Sequence, residues 1–185
     1  MTAPAPRRAL GTWPLVLGLL MIVMPPLQAQ TATTTSSELK AAFIFNFVRF
    51  TDWPPDAIIS GAAIVTCVLD EGQVADAFRQ LVRGRIVGTH KLETRVVRAG
   101  ESLPGCHVLY VSGLDTKRSD ALVASLQDSS VLTISDDERF AERGGIANFF
   151  IRNDNMGFAV NVGALRRAKL QISAKVLTLA RIVGN

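Results

Sequence analysis

The sequence predicts an α/β fold: a single-domain sandwich with a mainly parallel sheet, helices on both faces, and a C-terminal hairpin followed by helices. Three observations predict it. Continuous apolar runs of strand length recur at 64–69, 107–111 and 131–134, the pattern of strands covered on both faces. Segments with apolar residues at helical spacing separate them, at 74–82 and 117–126, and this alternation builds parallel strands through helical crossovers. The turn-rich stretch Arg152-Asn153-Asp154-Asn155-Met156 lies between two further apolar runs and predicts a hairpin.

The N-terminal residues predict export. Arg7 and Arg8 precede an apolar run from Trp13 to Met24, Pro25-Pro26 ends it, and Leu27-Gln28-Ala29 offers a cleavage site. Spanning a bilayer takes about twenty apolar residues, so an uncleaved anchor is the weaker reading. The organisation is then a signal peptide over 1–29, a polar leader over 30–37 and one α/β domain over 38–185. The predicted location is outside the cytoplasm. The formal charge of +4 falls to +2 without Arg7 and Arg8. No block of Lys and Arg suggests nucleic acid as a partner.

In chain order, Ser36-Ser37-Glu38 opens a helix over 39–50. Between Glu38 and Pro54 fall four of the nine Phe and one of the two Trp. Phe43, Phe47 and Phe50 form one stripe, predicted to face the core; Phe45 and Val48 lie off it, so the helix is apolar over more than half its circumference. Asn46 is the lone polar side chain among the aromatics. It either reads a ligand or ties the helix to a loop through backbone hydrogen bonds, and the second reading is favoured. Trp53 and Pro54 stop the helix. A weakly alternating strand follows at 92–97, and Gly144-Gly145 cuts a helical turn at 140–143. The remainder, 162–183, reads as helical with a break near Gln171-Ile172-Ser173.

Little in the chain suggests catalysis. His90 and His107 are the only histidines, and His107 beside Cys106 makes neither a zinc site nor a nucleophilic pair. No serine occupies a nucleophile-elbow motif. Ser135-Asp136-Asp137-Glu138 is the densest acidic cluster; a helix start is favoured there over a cation site. No metal and no cofactor is expected. In an oxidising compartment Cys67 and Cys106, each in or beside a buried strand, are expected to form a disulfide, against the alternative of two inert thiols.

Several blocks resemble one family. Lys40-Ala41-Ala42-Phe43-Ile44-Phe45-Asn46-Phe47-Val48-Arg49-Phe50-Thr51-Asp52-Trp53-Pro54 is similar to the opening signature of the YfiR-like periplasmic proteins, with Asn46, Trp53 and Pro54 as structural signature residues. Cys67-Val68-Leu69, Gly105-Cys106-His107-Val108-Leu109-Tyr110 and the segments 131–136, 140–149, 158–161, 168–173 and 177–181 continue the resemblance in order. It implies an α/β regulatory protein that represses an inner-membrane diguanylate cyclase by contact with its periplasmic domain, lowering cyclic di-GMP and biofilm formation. It implies an outer-membrane lipoprotein as a further partner, and Cys67 and Cys106 match the family's disulfide positions. Some relatives carry a second bridge where this chain has Ala141 and Asn148, which implies a looser loop here and no redox control through that bridge.

The leading expectation is therefore a non-enzymatic inhibitor acting by protein contact. The terminal helices supply its candidate partner-binding residues Leu165, Ile172, Val176 and Leu177, with a core role for all four as the alternative. A stand-alone small-molecule sensor, or a binding module for another membrane signalling protein, is the second reading. The sensor's candidate pocket lies at the strand ends, near Asp70, Ser112 and Asp136. A homodimer stays open.

Overall fold

The computed structural model describes residues 36–69 and 72–184. The expected signal peptide, nearly all of the leader, and Asp70 lie outside them. The elements are α1 (Ser36–Arg49), β1 (Thr51–Asp52), β2 (Ile64–Leu69), α2 (Gln73–Val82), β3 (Ile86–Val87), β4 (His90–Val96), β5 (Val108–Val111), α3 (Thr116–Ser125), β6 (Leu132–Ser135), β7 (Ala147–Arg152), β8 (Asn155–Asn161), α4 (Val162–Arg167), β9 (Gln171–Ile172), α5 (Ala174–Leu177) and β10 (Arg181–Val183).

Eight of the strands form one sheet in the order β10-β8-β7-β6-β5-β2-β4-β3. Its centre, β4-β2-β5-β6-β7, is parallel. Only β3 against β4 and β7 against β8 are antiparallel, so the sheet is mainly parallel. The β7–β8 hairpin turns on Asn153 and Asp154, whose φ angles of 49° and 59° suit a tight two-residue turn.

Because side chains alternate across a strand, the central strands feed two cores. Ile64, Val68, Val108, Tyr110, Leu132 and Ile134 face α1 and α2, where they meet Ile44, Val48 and Phe78. On the opposite face Cys67, Leu69, Leu109 and Val111 pack with Val123 of α3 and with Phe140. Fully burying one such side chain contributes about 1.5–3 kcal/mol.

Two expectations require correction. The segment 162–183 is not two helices: α4 and α5 are short, and β9 and β10 alternate with them. Long-range pairing decides this, since β10 lies parallel to β8 through Arg181↔Ala159 to Val183↔Asn161 and β9 pairs antiparallel with β1. The core-facing stripe of α1 is also different. Ala41, Ile44, Phe47 and Val48 are its buried residues, while Phe43 and Phe50 are half-buried at the margin of the sheet.

Candidate functional site

Parallel pairing of β5 with β6 sets Val111 opposite Ser135, so the residues just beyond them meet at the strand ends. Ser112 Oγ donates to Asp136 Oδ2 at 3.2 Å, and Lys40 Nζ of α1 reaches the same oxygen at 2.8 Å. The structure thus brings Ser112 and Asp136 together and adds Lys40, which sequence spacing gave no means of finding. The Asp136 carboxylate is engaged by α1 and acts as a latch between helix and sheet. Its neighbour Asp137 accepts from Arg143 Nη2 at 2.5 Å, and Arg143 Nε reaches Asp120 at 2.8 Å. The Arg143 hydrogen bond holds the Asp137 carboxyl below the usual carboxylate range, and Asp137 in turn raises Arg143. The acidic cluster is therefore an ion-pair ladder; among the described residues no three His, Cys, Asp or Glu side chains gather as metal ligands.

A disulfide joins Cys67 and Cys106, with their Cα atoms 5.7 Å apart. Both cysteines are buried, and Arg95 Nη2 lies 2.9 Å from Cys106 Sγ. The Val65 amide donates to His107 Nδ1 at 3.0 Å, an acceptor role that needs the neutral ring. Burial lowers the His107 pKa, with His90 adding to the effect and a backbone hydrogen bond at Ala57 opposing it. His90 Nδ1 contacts the Ala62 carbonyl at 2.7 Å. Both histidines therefore anchor the loop between β1 and β2. The half-buried Trp53 and Pro54 of that loop line a cavity of about 350 Å³ with Ile58, Ile64 and His90.

Ala141 and Asn148 are joined without a bridge. Fully buried Asn148 accepts from the Ala141 amide at 3.1 Å through Oδ1, and its Nδ2 donates to the carbonyls of Glu138 and Phe149 at 2.9 and 3.1 Å. Asn161 Nδ2 donates to the Ala141 carbonyl at 2.7 Å. The looser loop expected here is instead pinned by two buried amides. Gly145 completes the fit, since a Cβ there would collide with the Phe140 ring.

At the far end of α1, β1 pairs with β9, and the Ser173 amide donates to the Phe50 carbonyl at 2.9 Å. These bonds seat α5 beside α1. Between them Phe43, Asn46 and Phe47 of α1, Phe50 just beyond it, Phe158 of β8, and Lys175, Val176 and Leu179 line a groove of about 270 Å³. Its aromatic wall is ordered by edge contacts: Phe158 lies 5.3 Å from Phe47 at 79° and 5.7 Å from Phe43 at 60°. Asn46 is exposed at this groove, which corrects the expectation of a buried tie to a loop. Of the four candidate partner-binding residues, Leu165 and Ile172 are 4% and 7% exposed and belong to the core. Val176 and Leu177 are half-buried and pack against it.

Other side chains supply the apolar surface. Among the described residues Ile151, Leu179 and Ile182 are 57%, 77% and 45% exposed. Ile151 is paired with Met156, and Ile182 with Val160. Buried Val160 and Phe158 alternate with Ala159 on β8, so Ile151 and Ile182 lie on the sheet face that also carries the groove. Leu179 and Ile182 did not stand out by periodicity, because they lie beside and in β10, a three-residue strand whose position only the assembled sheet defines.

No curated protein matches the chain. A solved structure of a conserved domain protein from Vibrio cholerae O1 biovar eltor is similar, with a TM-score of 0.52 at 12% identity over 80% of this chain and 60% of that one. The chain thus spans less than two thirds of that structure, and at this identity the likeness shows the α/β fold alone. An ABC domain in complex with L-Trp from Streptococcus pneumonia gives a TM-score of 0.46 at 14% identity, over 70% of this chain and 59% of that one, a likeness too weak to argue from. Residues 37–181, from the first turn of α1 to the start of β10, match the DUF4154 family, described as YfiR/HmsC-like. The chain belongs to this YfiR/HmsC-like family.

Proposed function

We propose that this protein is exported, loses residues 1–29, and represses an inner-membrane diguanylate cyclase by binding its periplasmic domain. Family membership over 37–181 supports the regulatory half of the reading. The observation that carries the contact half is the exposure of three large apolar side chains, Ile151, Leu179 and Ile182, since exposed apolar surface rimmed by polar residues marks interaction sites. On this reading these side chains, with Val176 and Leu177, hold the cyclase in its inactive arrangement, and an outer-membrane lipoprotein relieves repression by sequestering the inhibitor. The protein acts by contact and performs no chemistry of its own.

Copurification of the exported protein with each membrane-bound cyclase of its host tests the contact. Ile151→Glu and Ile182→Glu place charges on exposed positions and leave the core intact, so they abolish copurification while the melting temperature stays within a few degrees. Unchanged copurification by both variants places the contact elsewhere. If no cyclase copurifies with the parent, the reading fails.

A further inference from the structure

We propose that the groove between α1, β8 and α5 is a binding site for a small amphiphilic monocarboxylate of the medium-chain alkanoate type. The groove shares Val176 and Leu179 with the contact proposed above, but the evidence for a ligand is the chemistry of the groove lining, and its test measures the isolated protein without a cyclase. The wall is formed by Phe43, Phe47, Phe50, Phe158, Val176 and Leu179. Ligand sites are mostly apolar with a few placed polar groups, and here those groups are Asn46 and Lys175, both exposed at the rim. Arg49 adds a second cation, with its guanidinium carbon 5.2 Å from the centroid of the Phe50 ring.

The sign of the rim selects the ligand. No acidic side chain lines the groove, and Lys175 has no ion pair among the described residues. A carboxylate therefore gains a cation and the Asn46 amide, whereas an ammonium group finds no counter-charge and a zwitterion leaves one charge unmatched. Size sets the body of the molecule. The cavity of about 270 Å³ corresponds to roughly nine water volumes, enough for a chain of about eight carbons. Burying that chain against the aromatic wall strengthens binding by about fourfold per methylene.

The test uses the intact protein with octanoate, octylammonium and octanol as probes, read by titration calorimetry and by NMR shifts of the Asn46 side-chain amide and the groove phenylalanines. Octanoate is expected to bind saturably one to one, with shifts confined to the groove and octylammonium at least tenfold weaker. Lys175→Glu weakens octanoate by about two- to fivefold, the upper range of one exposed ion pair. Asn46→Trp fills the groove from an exposed position and removes binding of octanoate and octanol alike. If that variant fails to fold, the shift map of the parent decides the location. Equal affinity for octanoate and octylammonium, shifts outside the groove, or no saturable binding of octanoate overturns the proposal.

Discussion

Asn148→Ala removes a buried amide at a position where the family resemblance implies half of a second bridge, and its cost can be worked from the contacts. The parent side chain is fully buried and serves three backbone groups: the Ala141 amide at 3.1 Å, the Glu138 carbonyl at 2.9 Å and the Phe149 carbonyl at 3.1 Å. Losing a typical hydrogen bond costs about 1 kcal/mol, and leaving a buried donor unsatisfied costs about 1–3 kcal/mol. Ala141 is itself fully buried, so water does not readily replace the lost acceptor at its amide. Both carbonyls keep a second lone pair available, which limits their share. The sum is about 3 kcal/mol. With a urea m-value of about 2 kcal/mol/M for a domain of this size, the midpoint moves down by about 1.5 M. Hydrogen exchange at the Ala141 amide should accelerate more than the global change requires, because the clamp is local. The pair Ala141→Cys with Asn148→Cys, oxidised, should recover most of the loss. A midpoint shift below about 0.3 M at unchanged m, with no change in exchange at Ala141, would refute the claim that Asn148 does the work of a bridge.

Three further outcomes follow from the same structure. Reducing or replacing the Cys67–Cys106 bridge, whose cysteines are 39 residues apart, should lower stability by about 4 kcal/mol in the chain-entropy treatment; a Cys67→Ser, Cys106→Ser variant that melts with the parent contradicts it. Gly145→Ala should destabilise by about 3 kcal/mol by driving the buried Phe140 ring from its seat, and thermal melts of Gly145→Ala beside Gly163→Ala separate this clash from a general glycine effect. Acid stability should fall in two windows. His107 has a lowered folded pKa, so its contribution is complete above the unfolded value of about 6.5 and declines as pH falls below it, where the unfolded chain takes the proton first. Asp137 is also lowered, so its contribution is complete above about pH 4 and disappears as pH falls through its folded value. Denaturation curves from pH 8 to 2 should lose the upper window in His107→Gln and shrink the lower one in Asp137→Asn, since Asp115, held low by its Arg118 hydrogen bonds, keeps a share of it; a variant whose window is unchanged refutes that assignment.

Much of this architecture is visible in the sequence because local and tertiary preferences agree. The runs that became β2, β5 and β6 are apolar on both faces, and they end as central strands of a sheet with a core on each side. The helices α2 and α3 follow from spacing, and the Asn153-Asp154 turn fixes the hairpin. The C-terminal segment was not legible in this way. Strands β9 and β10 are two and three residues long, and their partners are remote strands, β1 and β8. Nothing local distinguishes such residues from a helix. Leu165 and Ile172 therefore looked available for a partner when they complete the core.

The helix α1 shows a different limit. Its apolar residues cover most of the circumference, so periodicity cannot choose which stripe is buried. Packing against the sheet selects Ala41, Ile44 and Val48 with Phe47, and turns Phe43, Asn46 and Phe50 toward the groove. The strand-end cluster lies between these cases. Parallel topology places Ser112 and Asp136 at neighbouring strand ends, but only the assembled fold brings Lys40 onto the carboxylate.

The most direct test of the central claim is intracellular cyclic di-GMP in the native host with and without this gene, complemented by the exported chain, by a version lacking residues 1–29, or by Ile182→Glu. The account predicts a rise on deletion that the exported chain reverses and the other two do not. Unchanged cyclic di-GMP on deletion, or full reversal by the version that stays in the cytoplasm, would contradict it.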